Sequence, residues 1–186
     1  MDAIQAITTR QSIPVLKSDP VPRDLIEQIL TAAVQAPNHH RVRPWRFVVL
    51  MGEARRRLGE VMAQSKKKDN PDGPEAVLDV ERAKPLRAPV LIAVGVEKPL
   101  DPKVIEIENV CAVAAAAENL LLAAHALGLG GMWRTGPAAY DQEVKAHLGF
   151  ASDQHIIAFL YIGYPEGEPK PKQRLSYEDR TIWRGE

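Results

Sequence analysis

Val90-Leu91-Ile92-Ala93-Val94-Gly95-Val96 is an uninterrupted apolar run rich in β-branched side chains. Two similar runs occur elsewhere: Phe47-Val48-Val49-Leu50-Met51, closed by Gly52, and residues 156–163. Short apolar runs without polar alternation are typical of strands that are buried on both faces. We therefore predict three strongly buried strands, and Met132-Trp133-Arg134 fits a further short one.

Helical patterns alternate with these runs. Apolar residues recur with a period near 3.6 over residues 25–34, after Pro22 and before Pro37, which marks an amphipathic helix. Further helices are predicted at 53–68, about 103–127 and 141–148, with a Pro/Gly/Asp-rich break at 70–74. The Ala/Leu-rich pattern at 103–127 predicts a helix buried nearly all round, in the core or across a subunit interface. The order predicts a mixed α/β structure in one domain, residues 1–186.

The amino-acid composition argues against several classes of protein. Lys plus Arg and Asp plus Glu both number 24, so the formal charge is zero and no basic stripe favours nucleic-acid binding. Cys111 is the single cysteine, and the five histidines show no zinc-ligand spacing. The first residues lack a signal-peptide pattern, and no apolar run reaches about 18 residues. We expect a cytoplasmic protein that folds without disulfide or metal.

The loop between the helix at 25–34 and the strand at 47–51 carries unusual chemistry. Residues 36–47 read Ala-Pro-Asn-His-His-Arg-Val-Arg-Pro-Trp-Arg-Phe, with two histidines and three arginines. A plain turn would explain the prolines, with Trp45 and Phe47 in the core and the basic residues in water. It explains the histidines less well, so we predict that this loop holds a ligand.

Two further segments carry candidate ligand groups. Arg10 and Ser12 offer a planar guanidinium and a hydroxyl, which suit a phosphate, although a helix-capping Ser beside a surface Arg is the plainer interpretation. Residues 128–131 contain three glycines, but they follow a helix and precede a strand, the reverse of a dinucleotide-binding fingerprint. They fit a helix end that lets the backbone approach a ligand closely.

Taken together, these segments resemble the nitroreductase family, whose flavin-binding signature reads close to A-P-S-x-x-N-x-Q-P-W-x-F in the region of residues 36–47. The resemblance covers nearly the whole chain. It implies an α/β fold of the α+β kind, with a mixed, mostly antiparallel central sheet flanked by helices. It also implies a homodimer with FMN at the subunit interface, in which an extended tail, residues 164–186, docks on the partner subunit.

The resemblance assigns cofactor roles to several segments. Arg10, Gln11 and Ser12 would hold the FMN phosphate and ribityl chain, completed by Lys172 and Arg174 near the C-terminus. The loop at residues 36–47 would run along the ribityl chain and pyrimidine end of the flavin and reach across to the partner subunit's cofactor. The segment Trp133-Arg134-Thr135-Gly136 would lie against the isoalloxazine, with backbone N–H groups directed at N5. The implied cofactor-binding residues are Arg10, Gln11, Ser12, Gln35, Asn38, His39, Arg43, Lys84, Trp133, Arg134, Thr135, Gly136, Lys172 and Arg174.

The chain departs from the family pattern at three positions. Many relatives carry another polar residue at the position of His39 and Gln at the position of Arg43. Which flavin atoms these two residues contact is therefore left open. Pro14 stands where many relatives carry Lys or Arg beside the pyrimidine, and a lost cation would weaken stabilisation of the reduced ring. Lys84 lies where some relatives have a flavin-facing Lys and could compensate, although a lone Lys is usually just exposed. Trp133 fits a core position about as well as a stacking role.

No nucleophile or metal motif accompanies these residues, which is expected where the cofactor carries the chemistry. The resemblance implies an FMN-dependent oxidoreductase in which NADH or NADPH reduces flavin N5 and a nitroaromatic or quinone-like acceptor then reoxidises it, in ping-pong order. Two alternatives stay open: a flavin-dependent dehydrogenase of one metabolite, and a dimer that sequesters FMN without catalysis.

Overall fold

The structure is a computed structural model that describes residues 1–168, 170 and 173–185. The helices are α1 (Ala3–Thr9), α2 (Arg23–Ala33), α3 (Glu53–Asp69), α4 (Glu75–Ala83), α5 (Glu106–Ala126) and α6 (Gln142–His147). The strands are β1 (Trp45–Met51), β2 (Val90–Val96), β3 (Gly130–Arg134) and β4 (His155–Gly163). Short 3-10 helices lie at His39–Arg41, Lys84–Arg87, Pro137–Ala139 and Glu178–Arg180. The three apolar runs and the short run near residue 132 all form strands.

The strands make one antiparallel sheet in the order β1-β2-β4-β3. Every residue of β2 is buried, and Val94 at its middle lies opposite Phe47 of β1 and Ala158 of β4. The unbroken apolar sequence of β2 follows from this position, because both of its faces are covered. The predicted α/β fold with an antiparallel sheet is confirmed. β1 and β3 are left as its two opposite edges.

Helices cover both faces of the sheet. On one face α2 and α5 enclose a core that contains Ile92, Leu120 and Leu160, all fully buried. On the other face α3 and α6 enclose a second core around Leu58 and Leu91. The chain therefore folds as three layers, with helices on each face of the sheet.

Helix α5 is buried on its inner side only. Ala116 and Leu120 face the core, whereas Ile107 and Cys111 are exposed, so burial of the other side of the helix across a subunit interface stays a prediction. Within the described part of the chain, α5 alone has the length and hydropathy of a membrane-crossing helix, with a mean hydropathy of 1.4. Its contacts with α2 and the sheet are those of a core helix.

Helix α4 is absent from the sequence prediction, which has only a break at 70–74 in this region. It packs on α3 at Gly59, where an added Cβ would come within 2.4 Å of the Arg82 carbonyl oxygen. Arg82 also pairs with Glu75 and Glu60, which ties the two helices together. The 3-10 helix that follows carries Lys84 and Arg87 to the β3 side of the sheet.

Candidate functional site

The N-terminal segment, residues 10–16, runs beside the edge strand β3. Ser12 forms a parallel bridge with Gly131, and the backbone N–H of Ile13 donates to the Gly131 carbonyl at 3.0 Å. A Cβ on Gly130 would come within 2.8 Å of a leucine side chain of this segment. At Gly130 the close approach is therefore made by the chain's own N-terminal segment, and the predicted close approach of a ligand to these glycines stays a prediction.

A cavity of about 350 Å³ opens between this segment, α1, α5 and the start of the tail. The Arg10 side chain is 21% exposed, and its Nε donates to the Glu118 carboxylate on α5 at 2.8 Å. A terminal N–H of Arg174 donates to the backbone carbonyl of Arg10, also at 2.8 Å. Gln11 lines the same cavity. Two predicted phosphate ligands thus meet at one cavity, whereas Lys172, also predicted, lies outside the described residues.

Two helix C-termini reach this cavity, because α1 ends at Thr9 and α5 ends one residue after His125. The partial negative charge at a helix C-terminus disfavours an anion by roughly 0.3 to 1 kcal/mol when exposed. An anion bound here would therefore depend on Arg10 and Arg174. His125, which sequence reasoning missed, shares a 2.8 Å hydrogen bond with the Thr9 hydroxyl. Burial, and secondly the charge of Arg10, lower the pKa of His125 below its usual value.

This lowered pKa predicts a pH dependence of stability. The unfolded chain takes up a proton at His125 at a higher pH than the folded chain does, so protonation favours unfolding. We expect the free energy of unfolding to fall as the pH drops through the ordinary histidine range toward the lower folded-state value. Urea titrations at a series of pH values check this. His125→Gln should flatten that decrease, and an equally steep decrease in the variant would contradict the assignment.

A second cavity, of about 230 Å³, lies at the C-terminal end of β3. Lys84, Arg134, Thr135 and Gly136 all line it, so the structure brings these four predicted residues together. Lys84 forms an ion pair with Glu81. Gly136 has a φ of +88°, which favours glycine and turns the chain away from the strand.

Trp133 occupies a core position between these residues. Its side chain is half-buried against the core on the α5 side, and its indole N–H donates to the Ile157 carbonyl at 3.1 Å. Because strand residues alternate in direction, the backbone N–H of Trp133 faces the same free edge as that of Gly131. Any contact of Trp133 with a ligand at this edge would therefore use the backbone.

Ser12 and Pro14 are exposed, and Pro14 is not among the residues that line either cavity.

The loop before β1 has a strained backbone. His40, Arg41 and Arg43 all have φ values near +55°, which non-glycine residues rarely adopt. The Asn38 side chain stabilises the turn by accepting a hydrogen bond from the Arg43 backbone N–H at 2.9 Å. His39 stacks on His40 with ring centroids 4.1 Å apart. Strain of this kind is commonly retained where a loop has a binding role.

Within one subunit this loop stays apart from the two cavities. His39 pairs with Glu108 at the start of α5, and Gln35 is exposed with its amide donating to the Thr31 carbonyl. The loop leads into β1, and β1 and β3 are separated by three strand spacings, or roughly 14 Å. The structure therefore brings together the predicted residues on the β3 side and leaves Gln35, Asn38, His39 and Arg43 on the other side.

Comparison with known proteins identifies the family of this chain. The family model described as "Nitroreductase family" matches residues 7–164. The chain belongs to the nitroreductase family. This family membership makes the protein an oxidoreductase, as the sequence resemblance predicts.

Several relatives match over almost their whole length. An Escherichia coli K12 protein, provisionally named NAD(P)H nitroreductase YdjA, is 32% identical over 167 residues, covering 89% of this chain and 90% of the relative. A nitroreductase-like family protein from Bacillus cereus, of known crystal structure, has a TM-score of 0.82 at 26% identity, covering 98% and 96% of the two chains. The FMN and NADPH-dependent nitroreductase NfnB of Sphigopyxis sp. strain HMH shares the fold, with a TM-score of 0.80 at 19% identity and full coverage of both chains.

Sequence reasoning missed Arg87 and Tyr161, which also line the second cavity. Arg87 follows Lys84 by three residues, on a 3-10 helix whose period places residues three apart on one side. Tyr161 is a lone tyrosine in an otherwise aliphatic and aromatic buried strand. That polar atom within β4 is the signal that could have marked it. Among the described residues, no group of three or more His, Cys, Asp or Glu side chains could hold a metal ion.

Proposed function

We propose that this nitroreductase-family protein is an FMN-dependent oxidoreductase that uses NADH or NADPH to reduce small acceptors such as nitroaromatics and quinones. The observation that carries the proposal is the arrangement along the free edge of β3. Arg10 and Arg174 lie at one end, Ser12 lies on the edge, and Thr135 and Gly136 follow the other end. The names of YdjA and NfnB support the choice of NAD(P)H and FMN.

The donor set fits FMN. A phosphate dianion needs cationic, multidentate donors, and two guanidinium groups line the first cavity. The edge from Gly131 to Arg134 spans roughly 10 Å at the usual rise per strand residue, which separates the phosphate end from the ring end. Beyond Ser12 the backbone N–H of Trp133 faces outward, where it can donate to a flat heteroaromatic ring. Arg10, Gln11, Ser12 and Arg174 would hold the phosphate and ribityl chain in this arrangement.

When bound, FMN would accept a hydride equivalent from NAD(P)H and pass electrons to the second substrate. The residues of the chain have supporting roles. Lys84 and Arg134 place positive charge beside the segment 134–136, where the ring is expected to lie. Positive charge there stabilises electron-rich states of a ring. The charge deficit suggested by Pro14 therefore gives no reason to favour a sequestering role.

A homodimer would complete the site. The loop holding Asn38, His39 and Arg43 lies at the edge of the sheet opposite β3, so only a second copy could bring it to the same cofactor. The tail supports the same conclusion, because Leu175 is 97% exposed and Ile182 is 81% exposed. Apolar side chains exposed to this extent are typical of a segment that packs on another surface. We infer that residues 164–186 dock on the partner subunit.

Purification tests the proposal directly. We expect a yellow protein with the absorption bands of flavin and one FMN per chain, or a colourless protein that takes up one equivalent of added FMN. Fluorescence quenching of titrated FMN gives the affinity and stoichiometry. Sedimentation of the same sample should give the mass of a dimer. A protein that takes up no FMN would refute the proposal.

A further inference from the structure

The second cavity, which the cofactor proposal only partly uses, combines an apolar floor with a cationic rim. The floor consists of Leu58, Met62, Leu91 and Phe159, all of which are buried in the core on the α3 side of the sheet. The rim carries the charged side chains of Lys84, Arg87 and Arg134. Its volume of about 230 Å³ exceeds the roughly 150 Å³ cavity that accommodates one benzene molecule in an engineered protein. The cavity therefore has room for one aromatic ring with a polar substituent.

The rim has an unbalanced positive charge. Lys84 is paired with Glu81. In contrast, Arg87 and Arg134 form no ion pair and no side-chain hydrogen bond with any other residue in the described ranges, 1–168, 170 and 173–185. Guanidinium groups that converge on one cavity without an acidic partner favour an anion from outside the chain.

Tyr161 adds a neutral donor to these cations. The residue is only 5% exposed and lines the cavity, yet its hydroxyl makes no hydrogen bond to any residue that the structure describes. The hydroxyl is not among the buried side-chain atoms that lack a partner in the described residues, so it is open to the cavity. Burial raises the pKa of Tyr161, so the hydroxyl keeps its proton and can donate it in a hydrogen bond. A tyrosine hydroxyl that is open to the cavity, beside two guanidinium groups that line the same cavity, is suited to a carboxylate.

We propose that this cavity is a specificity subsite for the electron acceptor and that it binds the carboxylate of a small aromatic acid. The ring would pack on Leu91 and Phe159, and the carboxylate would accept hydrogen bonds from Tyr161 and Arg87. This inference rests on the proposed oxidoreductase function for the identity of the ligand as the acceptor. The cavity itself, and its preference for a carboxylate, follow from the residues that line it.

Binding can be measured without turnover. Isothermal titration calorimetry with benzoate and its neutral analogue benzamide, on the protein as purified, should show benzoate binding about tenfold more tightly, a difference of about 1.4 kcal/mol. Arg87→Gln and Tyr161→Phe should each reduce this preference to within about twofold. Arg23→Gln is the matched control, because Arg23 is exposed on α2, where it pairs with Glu27. Equal affinities of the wild-type protein for benzoate and benzamide would overturn the inference.

Steady-state kinetics identify the bound anion. In the two-electron reduction, 4-nitrobenzoate, NAD(P)H and one proton give 4-nitrosobenzoate, NAD(P)⁺ and water, which carries the oxygen lost from the nitro group. With this substrate, Arg87→Gln should raise KM about tenfold and leave kcat nearly unchanged, and 4-nitrobenzamide should show no such change. If the variant instead raises KM for NADPH but not for NADH, the anion is the 2′-phosphate of the donor and the inference is wrong.

The two proposals fail in different ways. Absence of FMN would refute the oxidoreductase proposal, whereas the benzoate preference could still be measured on the same protein. A protein that binds FMN and is reduced by NAD(P)H, but treats 4-nitrobenzoate and 4-nitrobenzamide alike, would leave the function intact and overturn the subsite. Thermal melts of Tyr161→Phe, which keeps the buried ring, show whether any loss comes from unfolding instead.

Discussion

Replacing Arg10 with Ala should weaken FMN binding by roughly 2 to 4 kcal/mol, the range expected when a charged partner is removed from a partly desolvated anion site. Two features of the structure make the effect large. The Arg10 side chain is mostly buried, and the Glu118 carboxylate beside it loses its partner. The variant would thus place a free carboxylate next to the phosphate, at a cavity where two helices already end. Fluorescence titration with FMN measures the affinity.

Two control variants show whether the loss of FMN affinity in Arg10→Ala is specific to the phosphate site. Arg23→Ala removes an arginine that is 89% exposed and should leave FMN affinity unchanged. The double variant Arg10→Ala with Glu118→Gln should recover part of the affinity, because it removes the uncompensated negative charge. An Arg10→Ala protein that binds FMN as tightly as the wild-type protein would show that the first cavity does not hold the phosphate.

Ending the chain after Gly163 should abolish both the dimer and FMN binding. This deletion removes Arg174, which contacts the Arg10 carbonyl, and also removes the exposed Leu175 and Ile182. It breaks the pairing of Pro165 with Leu16, which holds the N-terminal segment against β3. Because the deletion affects the cofactor site and the expected dimer contact together, its effect should exceed that of any single substitution. Sedimentation velocity and flavin absorbance on one sample measure both losses.

A shorter deletion separates the two contributions. A chain that ends after Arg174 keeps the contact with Arg10 but lacks the exposed apolar residues. We expect it to become largely monomeric, with FMN bound more weakly than in the full chain, since the partner's loop would be lost. A shorter chain that stays fully dimeric and flavin-loaded would show that the tail does not dock on the partner.

Local sequence predicts much of this fold, because strands buried on both faces must be apolar throughout. β2 and β4 are such strands, and their positions follow from composition alone. Helix α4 escapes the same reasoning because Leu78 is its only buried residue, while Val77 and Val80 are exposed. Its apolar residues therefore do not mark the side that packs on α3.

Residues of the candidate site can be predicted from the sequence only where they lie close together in one segment of the chain. Arg10 and Ser12 are close in sequence, so their types suggest a common ligand. Arg87 and Tyr161 line the same cavity only because the fold brings the 3-10 helix and β4 together at the end of β3. The separation of the His39 loop from the two cavities depends on the order of the strands in the sheet. The hydrophobic pattern and the secondary-structure propensities of the sequence do not determine that order. These features arise from tertiary packing, and the structure is needed to find them.

Anaerobic rapid mixing of the FMN-loaded protein with NADH and with NADPH tests the central claim most directly. We expect the flavin absorbance to decrease at a rate that saturates with at least one of the two donors. Adding a nitroaromatic or a quinone without oxygen should then restore the absorbance. Bound FMN that neither donor reduces in a saturable way would contradict the assignment of this protein as an NAD(P)H-dependent flavin oxidoreductase.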